Sequence, residues 1–358
     1  QIDVTFSSSA GAPYWKSKGD AYYQCHGYVL PAIVDGIMTN TLGELYKSRP
    51  EWFLCEMKNK LDRYETAKLS DKCRPYVNQP FHFSALFSAL MQPFCSALKT
   101  WDNEDTFNAY GMSAANGGLK RLLDRVRSKH AKSKKDGKTR YMVGCYGDDG
   151  KIIQISPTTI QSVDPDFRQM DGSVDLVTVQ GVSDYIYSEY SKRHGEQPFW
   201  RQVLDLMVRF ATDPEFIIHG TEVYRKKQKD GILSGVVGTT LFDTAKATLA
   251  YADLVNSFHA GTLSITNVDR IKDYFRDHHG LEVKEGTWNV SPFKTEGIPG
   301  ELVTPNKFLG MQWQFSEYHL TENIIPVLPT ADWLCLLMNP RDSPMSIGLK
   351  MSDFAKIR

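Results

Sequence analysis

The residues of this chain best suited to chemistry are Asp148 and Asp149, which stand inside the stretch Arg140-Tyr-Met-Val-Gly-Cys-Tyr-Gly-Asp-Asp-Gly-Lys-Ile-Ile-Gln-Ile-Ser156. Two β-prone runs flank Gly-Asp-Asp-Gly. Asp-Gly between such runs signals a hairpin, because Gly supplies the positive φ of a tight turn. Both carboxylates then stand together at the tip and repel each other. Two readings fit: a solvated turn, or a site for a divalent cation such as Mg²⁺ or Mn²⁺, which take hard oxygen ligands. The chain that follows bears on the choice. The second strand runs to Ser156-Pro157, a descent of roughly 23 Å at the usual rise per residue. Pro157-Thr-Thr turns the chain, and Ile160 to Asp166 returns over a similar length. Asp166 is therefore expected back at the end of the sheet that carries Asp148 and Asp149. A strand-end or helix-capping Asp is its other reading. Asp171 adds an acid five residues on.

Cations and glycines come next. In Lys68-Leu-Ser-Asp-Lys72-Cys-Arg74 cations alternate with other residues. On a strand, alternation puts Lys72 and Arg74 on one face, where they could grip a triphosphate or sit in solvent. Gly231 to Asp243 contains Ser234, Gly235, Gly238 and Thr239. It reads as a pliable loop feeding a helix that runs to about His259. Such a loop suits a phosphate backbone or a nucleotide, or is a plain helix entry. Near the start, Ser9, Gly11 and Pro13 form a loop of small residues that another chain can approach closely.

Composition sets the frame. The 358 residues are 41% hydrophobic and 23% charged, with zero formal net charge, as in an ordinary folded protein. Net charge names no partner. Residues 120–140 nevertheless carry ten Lys or Arg. Six scattered cysteines form no Cys-x-x-Cys pair, so reduced thiols are expected. The apolar stretch Phe81–Leu98 is broken by His82, Gln92 and Pro93 and reads as a buried helix. No initiator Met opens the chain and it ends abruptly, which suggests a segment of a longer protein. Two helices are expected between Tyr28 and Tyr64, one near 116–131 followed by a mobile Lys-rich loop, mainly helix over 174–219, and a helix over Val268–His279. Gly280–Trp288 and Lys307–Phe315 read as strands.

Together these stretches resemble the motifs of viral RNA-dependent RNA polymerases. Ser8-Ser-Ala-Gly-Ala-Pro-Tyr14 resembles motif G at the template entrance. Lys68 to Arg74 is similar to motif F. Tyr146-Gly-Asp-Asp149 is the motif C signature, Asp166-x4-Asp171 has the motif A spacing, and Ser234-Gly-x-x-Gly-Thr-x-x-x-Asp243 has that of motif B. Gly280 to Trp288 resembles motif D, and Phe308-Leu-Gly-Met-Gln-Trp313 motif E. Motif C precedes A and B, an order found in permutotetraviruses and birnaviruses. The Gly-Asp-Asp form resembles the permutotetravirus enzymes. Asp243 stands where motif B usually has Asn, and an Asp donates a hydrogen bond only when protonated.

The resemblance implies an α+β right-hand polymerase with a split βαβ, ferredoxin-like palm. Fingers would come from 1–139 with an insertion near 174–230, the palm from 140–315 and the start of a thumb from 316–358. It implies template-directed transfer of nucleoside triphosphates to an RNA 3′ end in viral replication and transcription, aided by two Mg²⁺ or Mn²⁺ ions on Asp166, Asp148 and Asp149. Lys284 would protonate pyrophosphate. Lys68, Lys72 and Arg74 would neutralise the triphosphate. Asp171, Ser234, Thr239 and Asp243 would surround the ribose and template, and Ser9, Gly11, Gly235 and Gly238 would lie along RNA. The host cytoplasm or the virion is the implied location. A reverse transcriptase is an alternative, although an acid at 171 stands where those enzymes carry an aromatic gate. A non-catalytic RNA-binding scaffold is the other.

Overall fold

The computed structural model describes residues 2–60, 75–100, 106–107, 109–112, 117–227, 230–317 and 324–338. Lys68, Lys72 and Arg74 therefore lie outside the described residues. The chain divides into two compact units, one built from 1–98 and 169–247, the other from 99–168 and 248–358.

In chain order the first elements are α1 (Lys18–Gln24), α2 (Leu30–Met38) and α3 (Leu42–Ser48). The Ser17 hydroxyl starts α1 by accepting from the Asp20 amide at 3.1 Å. The two helices expected between Tyr28 and Tyr64 are α2 and α3, followed by a 3-10 turn over Pro50–Phe53, and residues 61–64 lie outside the described residues. Leu54–Asn59 is instead strand β1, and Pro75–Asn78 is β2. Short apolar runs fit either period, and pairing with other strands decided this one. Then come α4 (Phe81–Thr100) and α5 (Gly118–Asp136). The expected Lys-rich loop is the last turn of α5. Lysine is a good helix former and its charge suits the negative helix end, so the helix continues until Gly137 at φ +73 terminates it.

Next follow β3 (Arg140–Tyr146), β4 (Asp149–Ile155), β5 (Ile160–Val163), β6 (Phe167–Arg168), α6 (Met170–Ser173), α7 (Leu176–His194), α8 (Pro198–Thr212), β7 (Phe216–His219) and β8 (Glu222–Tyr224). The described chain ends with α9 (Thr239–His259), α10 (Val268–His279), β9 (Glu282–Val283), β10 (Ser291–Pro292), β11 (Leu302–Phe308), β12 (Met311–Phe315), β13 (Ile324–Val327) and α11 (Thr330–Met338). Of the two stretches read as strands, Gly280–Trp288 holds regular strand only at the two residues of β9, and Lys307–Phe315 covers the end of β11, a turn and β12.

The first unit holds a sheet of order β2-β1-β7-β8, with β1 parallel to β7 and the other pairs antiparallel. Its apolar core draws on α4 and α8, where the Phe83 and Phe210 rings lie 4.5 Å apart. Among the described residues α4 is the helix long and apolar enough to cross a membrane, but its Phe81, Phe83 and Phe87 are core side chains. His82 is fully buried there. Its Nε2 lies 2.9 Å from the Trp52 carbonyl, which can only accept, so Nδ1 must accept from the Tyr14 hydroxyl at 2.9 Å. Burial pushes the His82 pKa down to about 3, against the opposing pull of the Trp52 carbonyl.

The second unit holds an antiparallel sheet of order β10-β5-β4-β3, a three-stranded sheet β11-β12-β13 and the pair β6-β9. Leu119, Leu122, Leu123 and Val126 of α5 share one apolar cluster with Met142, Ile153, Ile155, Phe293, Phe308 and Trp313. Gly144 on β3 is required, since a Cβ there would lie 2.1 Å from the Phe107 ring.

Candidate active site

The β3–β4 ladder is unbroken from Arg140↔Ile155 to Tyr146↔Asp149. This leaves Gly147 and Asp148 as a two-residue turn, with Gly147 at φ +61. The two acids therefore do not stand together at the tip, as the sequence had suggested, because the ladder pairs through Asp149. Asp148 is exposed at the tip, while Asp149 is half-buried on β4. Gly150 beside them is fixed by packing: a Cβ would sit 2.4 Å from the hydroxyl of Tyr251, which α9 buries completely.

Strand β5 returns in register, Ile155↔Ile160 to Ile152↔Val163. The Gly150 amide donates to the Pro165 carbonyl at 3.0 Å, and Asp149 and Asp166 form an antiparallel bridge. The backbones of these two acids are thus direct cross-strand neighbours. Residues just past Asp166 pair with β9, Phe167 opposite Val283. That pairing delivers Lys284, whose amide donates to the Asp166 carbonyl at 2.8 Å and whose Nζ lies 2.5 Å from Asp166 Oδ2. The Thr287 hydroxyl accepts from the Asp166 amide at 3.2 Å. Lys284 therefore stands as counter-ion to Asp166.

The electrostatics suit a cation. Burial raises the Asp149 pKa to about 7, helped by the charges of Asp148, Asp166 and Asp164 and opposed by Lys284. Asp166 Oδ1 is buried without a hydrogen-bond partner among the described residues. Added positive charge would satisfy that oxygen and relieve the repulsion. The donor set, all carboxylate oxygen, suits Mg²⁺ or Mn²⁺. Among the described residues no three His, Cys, Asp or Glu side chains are closed around one point, so the acids are adjacent without forming a finished ligand cage.

One feature here was missed in the sequence. Lys151 and Asp164 form an ion pair with both side chains buried, and the Lys151 ammonium lies 4.6 Å from the Trp313 ring centroid. Burial lowers the Lys151 pKa and raises that of Asp164, each opposed by the attraction between them. The available signal was a lysine directly before the apolar pair Ile152-Ile153 of β4.

The glycine-rich loop lies in the first unit. The Ile232 amide donates to the Asp171 carbonyl at 2.7 Å, and the Val77 amide to the Ser234 carbonyl at 2.7 Å. Gly235, at φ +88, passes so close to β2 that a Cβ would lie 2.8 Å from the Val77 carbonyl. Gly238 also has positive φ, +94. The Val237 amide donates to Gln79 Oε1 at 3.0 Å. The Thr239 hydroxyl turns inward and donates to the Val236 carbonyl at 2.9 Å. Asp243 is 5% exposed on the first turns of α9. Thr239 is half-buried and Asp243 buried, beside the loop whose residues the sequence reading set around the ribose and template. The Ser9 hydroxyl accepts from Lys58 Nζ at 3.0 Å and Asn78 Nδ2 at 3.3 Å, and Gly11, at φ +69, lies against Asn78. These contacts tie the N-terminal loop to β1 and β2.

Residues 1–312 match the family described as the permutotetravirus RNA-dependent RNA polymerase palm domain. No curated protein matches the chain in sequence. Among solved structures it resembles the RNA polymerase VP1 from infectious pancreatic necrosis virus, with a TM-score of 0.71 and 16% identity over 93% of this chain. A chain of the birnavirus VP1-VP3 complex matches with a TM-score of 0.70 and 16% identity, again over 93% of this chain. At that identity the likeness shows a shared mixed α+β polymerase palm fold. This chain spans 45% of the length of each of those proteins. With the family matched over residues 1–312, the chain belongs to the permutotetravirus RNA-dependent RNA polymerase palm-domain family.

Proposed function

We propose that this chain carries the nucleotidyl-transfer centre of a viral RNA-dependent RNA polymerase. It would add nucleoside triphosphates to an RNA 3′ end in genome replication and transcription, in the host cytoplasm or the virion. The observation that supports this most is the Asp149–Asp166 bridge. The motif order is shuffled, yet two of the acids that polymerase chemistry needs are cross-strand neighbours.

In this reading Asp166 and Asp148 are the principal ligands for divalent ions, and Asp149 assists. Mg²⁺ or Mn²⁺ held there would supply charge stabilisation for the attacking and leaving oxygens. Lys284 donates a proton to the departing pyrophosphate. Lys68, Lys72 and Arg74 neutralise the incoming triphosphate. Asp171, Ser234, Thr239 and Asp243 surround the ribose and template, Thr239 also holding the glycine loop through its hydroxyl on the Val236 carbonyl. Ser9, Gly11, Gly235 and Gly238 provide close backbone approach for RNA, and the exposed lysines of α5 add a salt-dependent attraction. The domain reading that goes with this is a right hand with a split βαβ palm over 140–315, fingers from 1–139 and 174–230, and a thumb beginning at 316–358.

The test uses the full-length polymerase. Asp148→Ala is expected to abolish primer extension while circular dichroism and RNA binding stay as in the wild type. Near-normal synthesis by that variant would remove the proposed mechanism. A preference of the wild type for deoxynucleotides would favour the reverse transcriptase reading.

A further inference from the structure

The Lys151–Asp164 pair is physically costly. Both side chains are withdrawn from water, and the ammonium faces the rings of Trp313, Phe308 and Phe293 at 4.6, 5.7 and 5.9 Å. Apolar residues would fill this place at lower desolvation cost, and the attested use of such a pair is to specify register. Its position fits that use. The β4–β5 register sets Ile152 opposite Val163, so Lys151 stands opposite Asp164 and Asp149 opposite Asp166. Side chains two residues apart share a face, so the pair lies one rung from the two acids, on their face of the sheet.

This end of the ladder needs holding. At the far end the turn locks itself: the Ser156 amide donates to the Thr159 carbonyl at 2.9 Å. At the near end regular pairing of β5 stops at Val163 and Pro165 has no amide to give, so beyond it β4 and the returning chain are joined by the Gly150 amide on the Pro165 carbonyl and the Asp149–Asp166 bridge. Hydrophobic pattern is no safeguard, because a two-residue slip keeps every side chain on its own face. One such slip sets Lys151 opposite Ser162 and Asp149 opposite Asp164. The other sets Lys151 opposite Asp166 and Asp149 opposite Arg168. Either strands a buried charge without its partner.

We propose that the buried Lys151–Asp164 pair is a positioning device that pins the β4–β5 register and so holds Asp166 against Asp149 for cation binding. This rests on the polymerase reading above. The test compares Lys151→Met/Asp164→Leu with Lys151→Arg and wild type in the full-length polymerase. Mn²⁺ binding is titrated by electron paramagnetic resonance, beside primer-extension kinetics. The apolar double variant should fold, bind Mn²⁺ at least tenfold more weakly and lose at least tenfold in kcat, with KM for nucleotide little changed. Lys151→Arg, which retains a cation opposite Asp164, should recover Mn²⁺ affinity to within about threefold. Wild-type Mn²⁺ affinity and kcat in the double variant would overturn the proposal. If that variant does not fold, Lys151→Met/Asp164→Asn takes its place with the same expectations. Failure of both to fold also counts against the proposal, since the pair would then serve folding and not register. If the wild type neither binds Mn²⁺ nor extends RNA, it is the polymerase reading that fails.

Discussion

Half-buried Asp149 and buried His82 push stability in opposite directions. Asp149 has its pKa raised to about 7 by burial and by neighbouring acids. The folded protein therefore holds a proton that the unfolded chain releases near pH 4. The stability tied to that proton is full below pH 4 and is lost as pH rises towards 7. His82 is the reverse case. Its pKa falls to about 3, so the unfolded chain takes up a proton that the folded chain refuses, and stability is lost as pH falls below about 6.5. Between about pH 4 and 6.5 the two slopes oppose each other. In the cation-free protein Asp149→Asn should remove one slope and leave stability falling more steeply towards acid. His82→Gln should do the opposite and leave stability falling towards neutral pH. Denaturant titrations at several pH values measure both, and unchanged pH profiles in the two variants would contradict this account.

At the scale of elements, the site is a hairpin laid against one helix. Gly150 allows that approach, because Tyr251 of α9 occupies the place a Cβ would take. Gly150→Ala is expected to destabilise the fold by about 1–3 kcal/mol, as overpacking of a filled core usually does. It should also lower primer extension beyond the loss of folded protein, because Asp149 is the next residue. Thermal melting and extension rate per folded molecule separate the two effects. A variant with wild-type melting and rate would show that the hairpin can move away from Tyr251 freely. The hairpin was readable from Gly-Asp-Asp-Gly between β-prone runs, although its turn is Gly147-Asp148 and the Asp149-Gly150 pair lies on β4, and α4 was readable from its apolar length. β1 was not, since its Leu54, Cys55 and Met57 fit a helix as well as a strand until β7 and β2 pair with it. The end of α5 was read as a loop because a run of lysines resembles a solvated segment, although the same residues favour a helix C-terminus.

For the whole molecule the significant fact is that each compact unit draws on two separated stretches of chain. β1, from the first stretch, pairs in parallel with β7, from the third. The core shared by α4 and α8 is divided in the same way. A fragment of residues 1–98 lacks β7, α7 and α8 and exposes the apolar faces they cover. It is predicted not to fold alone, showing no protected amides in hydrogen exchange, and the full chain should protect the same segment. A folded, protected fragment would mean that the first stretch is a domain by itself. Parallel pairing needs a long crossover connection, so this division was not visible in local patterns.

The amino-acid sequence by itself determined the chemical inventory: the acids at 148, 149, 166 and 171, the glycines of the loop before α9, and a hairpin whose return strand could bring Asp166 home. Those follow from residue type, turn chemistry and strand period, all of which act over short distances along the chain. Only the tertiary structure decided that Lys284 faces Asp166, that Thr239 and Asp243 turn inward, and that a buried lysine opposite Asp164 stands one rung behind the acids. Those outcomes depend on which segments pack together and which charges lose water, and neither is written in neighbouring residues.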